Sequence, residues 1–155
     1  MKVYGLNIPD ENGLTNIDIC KYARELRVPY FRGVFMRDTL PRKPYSKECG
    51  IVNFNTSKQS GSHWICYYKD GMNQRIYFDS FGQTTLIEVQ KYLKTKNEYE
   101  TEKAVIQRNT DIVQRVNTHV CGHLCLFMLT SLAREHLTFQ EVLNRLNDGY
   151  AQGDW

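Results

Sequence analysis

The 155-residue chain predicts an α+β fold, and three observations carry that reading. Strand-like runs cluster between residues 49 and 80, helical periodicities flank them, and the run opening at Cys121 is apolar on every side for three turns. A helix apolar all round is buried. Strands segregated from helices then point to one mainly antiparallel sheet packed across that helix. Hydrophobic content of 41% with 24% charged residues is a globular balance, and the length suits a single domain over residues 1–155. No apolar run reaches the roughly 20 residues that span a bilayer. The opening Met1-Lys2-Val3-Tyr4-Gly5 has no apolar signal core, so neither membrane insertion nor secretion is expected. Five unevenly spaced cysteines argue for reduced thiols rather than a disulfide framework. A net charge of +3 permits an acidic partner such as DNA without demanding one.

Taken in order, Thr15 with Asp18 forms a capping box, and Ile19, Tyr22, Ala23 and Leu26 keep helical spacing until Pro29 stops the helix. Residues Tyr30 to Lys47 mix Gly33, Pro41 and Pro44 with basic side chains and read as a long surface loop. Cys49 to Phe54 is a short apolar strand. His63 to Lys69 and Gln74 to Ser80 are aromatic and β-branched runs about Asp70-Gly71, a hairpin signal. Leu86, Val89 and Leu93 suggest a helix, and Ala104 to Gln107 a further strand. The buried helix is expected from Cys121 to about His136. Thr138 and Glu141 then cap a last helix that ends at Asn147-Asp148-Gly149.

Cys121 sits where a polar loop enters that buried helix, so unpaired N–H groups and the positive end of the helix dipole favour a thiolate there. A cysteine nucleophile needs a base and a group that orients the base. A three-residue loop at Asp70-Gly71-Met72 would make His63 and Asp79 direct cross-strand partners on one face, with Cβ atoms roughly 4.5–5.5 Å apart. Trp64, Cys66 and Tyr68 would take the other face. Gln114 could donate its amide N–H to a tetrahedral oxyanion, with the Cys121 backbone N–H as second donor. Trp64, beside the imidazole at the strand end, and Gly122, which lacks side-chain bulk beside the thiol, are expected to border the substrate. His119, Cys121, His123 and Cys125 carry metal-binding side chains, but their spacing fits no structural zinc pattern, so no metal is expected. Cys20, Cys49, Cys66 and Cys125 are expected as buried thiols.

Ser62-His63-Trp64, the Tyr77-Phe78-Asp79-Ser80-Phe81-Gly82 block and Gln114 to Cys125 together resemble the adenovirus-type maturation protease, adenain, and its kin in virophages and Polinton/Maverick elements. Pro29 to Gly33 and Cys49 to Asn53 extend the likeness. The resemblance implies a papain-like core with the histidine ahead of the cysteine in the chain, and a monomer working in the virion and infected cell. It implies capsid and core precursor proteins as substrates, cut at small glycine-containing motifs. It assigns His63, Asp79, Gln114 and Cys121 as the catalytic set, needing no cofactor for the chemistry. DNA and an activating peptide are partners the family implies. The position matching the peptide-linking cysteine is Lys103, so activation by disulfide is not expected, whereas non-covalent activation is compatible with the chain. Two alternatives come from other readings: a deconjugating protease for SUMO or another ubiquitin-like protein, and a non-catalytic zinc- or nucleic-acid-binding accessory. Deconjugating enzymes usually carry Asp before the Cys-Gly pair, where this chain has Val120.

Overall fold

The computed structural model describes residues 1–59, 63–71, 74–83, 85–95, 105–115 and 117–148. Its order is β1 (Lys2–Val3), β2 (Leu6–Asn7), α1 (Asn16–Glu25), β3 (Phe31–Met36), β4 (Lys47–Asn53), β5 (Trp64–Asp70), β6 (Gln74–Phe78), α2 (Ile87–Lys94), β7 (Gln107–Arg108), α3 (Cys121–Leu129) and α4 (Phe139–Asn147). Strands β3 to β7 form one sheet in chain order. The inner strands β4, β5 and β6 pair antiparallel, and the two outer strands pair parallel to their neighbours. The expected α+β architecture with its sheet on a buried helix is therefore present.

Side-chain alternation sorts the sheet into two faces. Trp64, Cys66, Tyr68, Ile76 and Phe78 join Leu124, Cys125 and Phe127 of α3 in the larger core. Ile65, Tyr67 and Tyr77 pack instead with Leu86, Val89 and Leu93 of the α2 region. All nine residues of α3 are buried, so this helix forms the floor on which the sheet rests. Both capping boxes form as read: Thr15 with Asp18 opens α1, and Thr138 with Glu141 opens α4.

Four expectations need correction. The segment read as a loop from Tyr30 to Lys47 contains strand β3, which pairs with β4 from Phe31 to Met36. Its register slips at Gly33, and none of its residues is fully buried, so the strand rests on a non-local partner that local composition does not announce. The hairpin register also differs. Asp70 pairs with Gln74 and also with Lys47 of β4, so the turn begins one residue later than expected and His63 and Asp79 are not direct partners. The loop keeps three residues, which preserves the shared face. Met72, part of the expected turn, lies outside the described residues, as do Lys103, Ala104 and Gly149. Finally, α3 is regular only to Leu129. Thr130–Arg134 widens into a π-helical segment, where the Thr130 hydroxyl donates to the Leu126 carbonyl at 2.6 Å and Glu135 N–H reaches back to Thr130 O. A threonine competing for a backbone carbonyl within the helix loosens the regular ladder. Cys20 is exposed, not buried, whereas Cys49, Cys66 and Cys125 are buried as expected.

Candidate active site

The site lies at one end of the sheet, where β5 begins, β6 ends and α3 starts. His63 immediately precedes β5, and its carbonyl accepts the Phe54 N–H at 2.7 Å, continuing the β4–β5 pairing for one more residue. Its ring lies between Phe54 and Phe81, with centroids 5.9 and 5.0 Å away. His63 Nε2 meets Asp79 Oδ1 at 2.7 Å, and Cys121 is near enough to interact electrostatically with the same ring. Burial by itself would push the imidazole pKa down, but the bond to Asp79 and the influence of Cys121 outweigh it and raise the value to about 9. That direction favours the imidazolium form of His63 beside the Asp79 carboxylate.

Asp79 follows β6 directly and is fully buried. Its Oδ1 accepts from both His63 and the Phe81 backbone N–H, while Oδ2 has no partner. The Asp79 main chain is gripped by a buried amide: Asn109 Oδ1 accepts the Asp79 N–H at 3.0 Å, and Asn109 Nδ2 donates to Asp79 O at 2.6 Å. The chain then turns at once, Gly82 N–H returning to Asp79 O at 2.8 Å. Gly82 has φ +61, and a Cβ there would lie 2.5 Å from Thr110 O, so only glycine suits both the backbone and the space.

Cys121 opens α3, 7% exposed, at the end where backbone N–H groups have no intrahelical acceptor. Gln114 comes within the same region from the preceding loop. Its Oε1 accepts the Ser80 hydroxyl at 2.5 Å, and its Nε2 donates to the carbonyl and hydroxyl oxygens of Thr118 at 3.1 and 3.2 Å. The sheet end thus gathers His63, Asp79, Gln114 and Cys121.

Trp64 lies inside this end of the sheet, its indole N–H donating to Leu14 O at 2.8 Å. Its face borders a cleft of about 530 Å³ shared with Leu14, Asn16, Met36, Asn53 and His119. Gly122 departs from the expectation that its missing side chain leaves room for a substrate. A Cβ there would contact Leu14, Trp64 and Ile19 at 3.3 to 3.5 Å, so it lets α3 approach the residues beneath the cleft. His123 is fully buried with Nε2 on Pro9 O at 2.7 Å. No group of three or more metal-ligating side chains occurs among the described residues.

Ser80 and Asn109 are the polar residues that reading along the chain did not single out. Ser80 was adjacent to a flagged carboxylate, a signal available in the sequence. Asn109 carried none, because its partner is 30 residues away.

A buried cysteine at a helix N-terminus, beside an imidazole that a buried carboxylate holds, is the equipment of nucleophilic catalysis by cysteine. The family model described as adenovirus endoprotease matches residues 31–148. No curated protein sequence matches the chain. Among solved structures, the crystal structure of the ASFV pS273R protease superposes with a TM-score of 0.61 at 15% identity. The alignment covers 85% of this chain and 61% of that one, a likeness that speaks for the fold.

Proposed function

The chain belongs to the adenovirus endoprotease family of cysteine proteases, and from that premise we propose that it cleaves the capsid and core precursor proteins of a virus or virus-like element. Cys121 is the nucleophile, His63 the general base and acid, Asp79 the orienting carboxylate and Gln114 an oxyanion donor. The observation that supports this most is the His63–Asp79 bond of 2.7 Å on a ring whose protonation Cys121 also influences.

In this reading Nε2 of His63 is committed to Asp79, so Nδ1 serves the sulfur. The Cys121 thiolate adds to the scissile carbonyl, and the carbonyl oxygen becomes an oxyanion held by the Cys121 backbone N–H and Gln114 Nε2. The imidazolium passes its proton to the leaving amine, leaving a thioester. Neutral His63 then takes a proton from water, hydroxide displaces the sulfur, and the acid product leaves with the pair restored. The cleft beside Trp64 and His119 receives the peptide. DNA and a non-covalent activating peptide are the proposed regulators, and virion and infected cell the proposed setting.

The test is mass spectrometry of precursor proteins from the same genome, incubated with the enzyme in the presence and absence of DNA. Discrete cuts at small glycine-containing sites are expected, and none with Cys121→Ala. Release of ubiquitin-like modifiers with the precursors left intact would replace the viral reading by the deconjugating one. Cleavage surviving in Cys121→Ala would end both.

A further inference from the structure

Resting on the reading of Gln114 as an oxyanion donor, we infer that Ser80 is a positioning residue that anchors the oxygen end of the Gln114 amide and so keeps its NH₂ end in place for the reaction. An amide that stabilises an oxyanion must present its NH₂, yet the two ends of a glutamine amide are nearly the same shape. Only the hydrogen bonds around it decide the orientation. The Thr118 carbonyl can only accept, so it takes the Nε2 end at 3.1 Å. The Thr118 hydroxyl is committed as a donor to Arg115 O at 2.7 Å, so toward Gln114 it too accepts, and in this reading one N–H serves both Thr118 oxygens while the second meets the oxyanion. Oε1 is thereby directed to Ser80, whose hydroxyl donates at 2.5 Å.

Ser80 is fully buried and Gln114 is 4% exposed, so water does not readily stand in for this bond. Removing the hydroxyl leaves a buried carbonyl oxygen without a donor and frees the amide to rotate. Donation into Oε1 also polarises the amide, strengthening the N–H that meets the oxyanion. The Ser80 main chain is itself tied down: its carbonyl accepts the Val113 N–H at 2.9 Å, one residue before Gln114. Asp79, its neighbour, is clamped by Asn109. Consecutive residues of one turn therefore set the base and the oxyanion donor together, Asp79 through His63 and Ser80 through Gln114.

The probes are a Gly-Gly peptide aldehyde, whose thiohemiacetal oxygen occupies the oxyanion position, a matching fluorogenic peptide amide, and iodoacetamide, which alkylates the thiolate with no oxyanion. In Ser80→Ala, kcat should fall about tenfold with KM little changed, and aldehyde affinity should fall by a similar factor. The rate of Cys121 alkylation should stay at its unsubstituted value. Ser80→Thr, which keeps the hydroxyl, should recover aldehyde affinity. Unchanged aldehyde affinity in Ser80→Ala, or an alkylation rate that falls in parallel with kcat, would overturn the inference. Gln114→Ala separates the two levels. If it leaves aldehyde affinity intact, the oxyanion reading itself fails. If it weakens binding while Ser80→Ala does not, only the positioning role fails.

Discussion

Two buried carboxylates stand at opposite ends of the same sheet and are treated in opposite ways. At the end remote from the cleft, Glu48 of β4 has both oxygens saturated. Oε1 receives Arg32, the Tyr45 backbone N–H and Tyr92, and Oε2 receives Tyr67 and Tyr92. At the site end, Asp79 places both of its bonds on Oδ1, and Oδ2 has none. A charge bonded on every side fastens β3, β4, β5 and α2 together and has no capacity left for chemistry. A charge bonded on one side directs its remaining field at a single imidazole. Burial of an acid is thus no mark of function in this fold; the distribution of its partners is.

The comparison is broken most forcefully at the site end. Asp79→Asn should lower kcat/KM by 10²–10⁴, measured with a fluorogenic peptide, while leaving a folded protein by circular dichroism. Glu48→Ala should do the reverse. Stripping the anion from a buried pair leaves Arg32 and two tyrosine hydroxyls without it, and urea unfolding should show a loss of about 3 kcal/mol. The kcat of the molecules still folded should stay unchanged. Equal activity losses in the two variants would dissolve the distinction.

Smaller effects sharpen it through pH. The His63 pKa of about 9 lies above its ordinary value, so the pair's stabilisation is complete below pH 6.5 and is lost as pH rises through 9. The alkaline limb of kcat/KM should therefore fall near pH 9, and Asp79→Asn should move that limb to lower pH. His123, on the buried helix, has the opposite sign. Burial holds its pKa below 6.5, with the nearby N-terminal ammonium adding to the shift against the opposing bond to Pro9 and charge of Asp10. The unfolded chain then binds the extra proton, and stability should fall as pH drops below 6.5. In thermal melts the acid-side slope should flatten in His123→Gln.

Local chemistry made much of this architecture legible in advance. Capping boxes at Thr15 and Thr138 are set by residues three apart, and the apolar run after Cys121 announces a buried helix whatever surrounds it. The shared face of His63 and Asp79 was an expectation conditional on an odd-length hairpin loop, and the pairing of Asp70 with Gln74 meets that condition. The loop's starting residue was not legible, because the pairing of Asp70 with Lys47 belongs to a different strand pair. Strand β3 was hidden for the same reason: Arg32 and Gly33 look like loop residues until β4 lies beside them. Ser80 and Asn109 are the sharpest case. Each is an ordinary polar residue whose partner is at least 30 positions away, and only folding brings them together.

The bond from the Trp64 indole to Leu14 also gives the protein a built-in optical reporter. The sequence contains two tryptophans, Trp64 and Trp155, so Trp155→Phe leaves a single tryptophan to excite selectively, and that residue borders the cleft. Its emission wavelength follows the polarity around the ring, so a peptide that expels water from the cleft shifts the spectrum to the blue. Binding to an enzyme silenced by Cys121→Ala becomes visible without a labelled ligand, before any bond is cut.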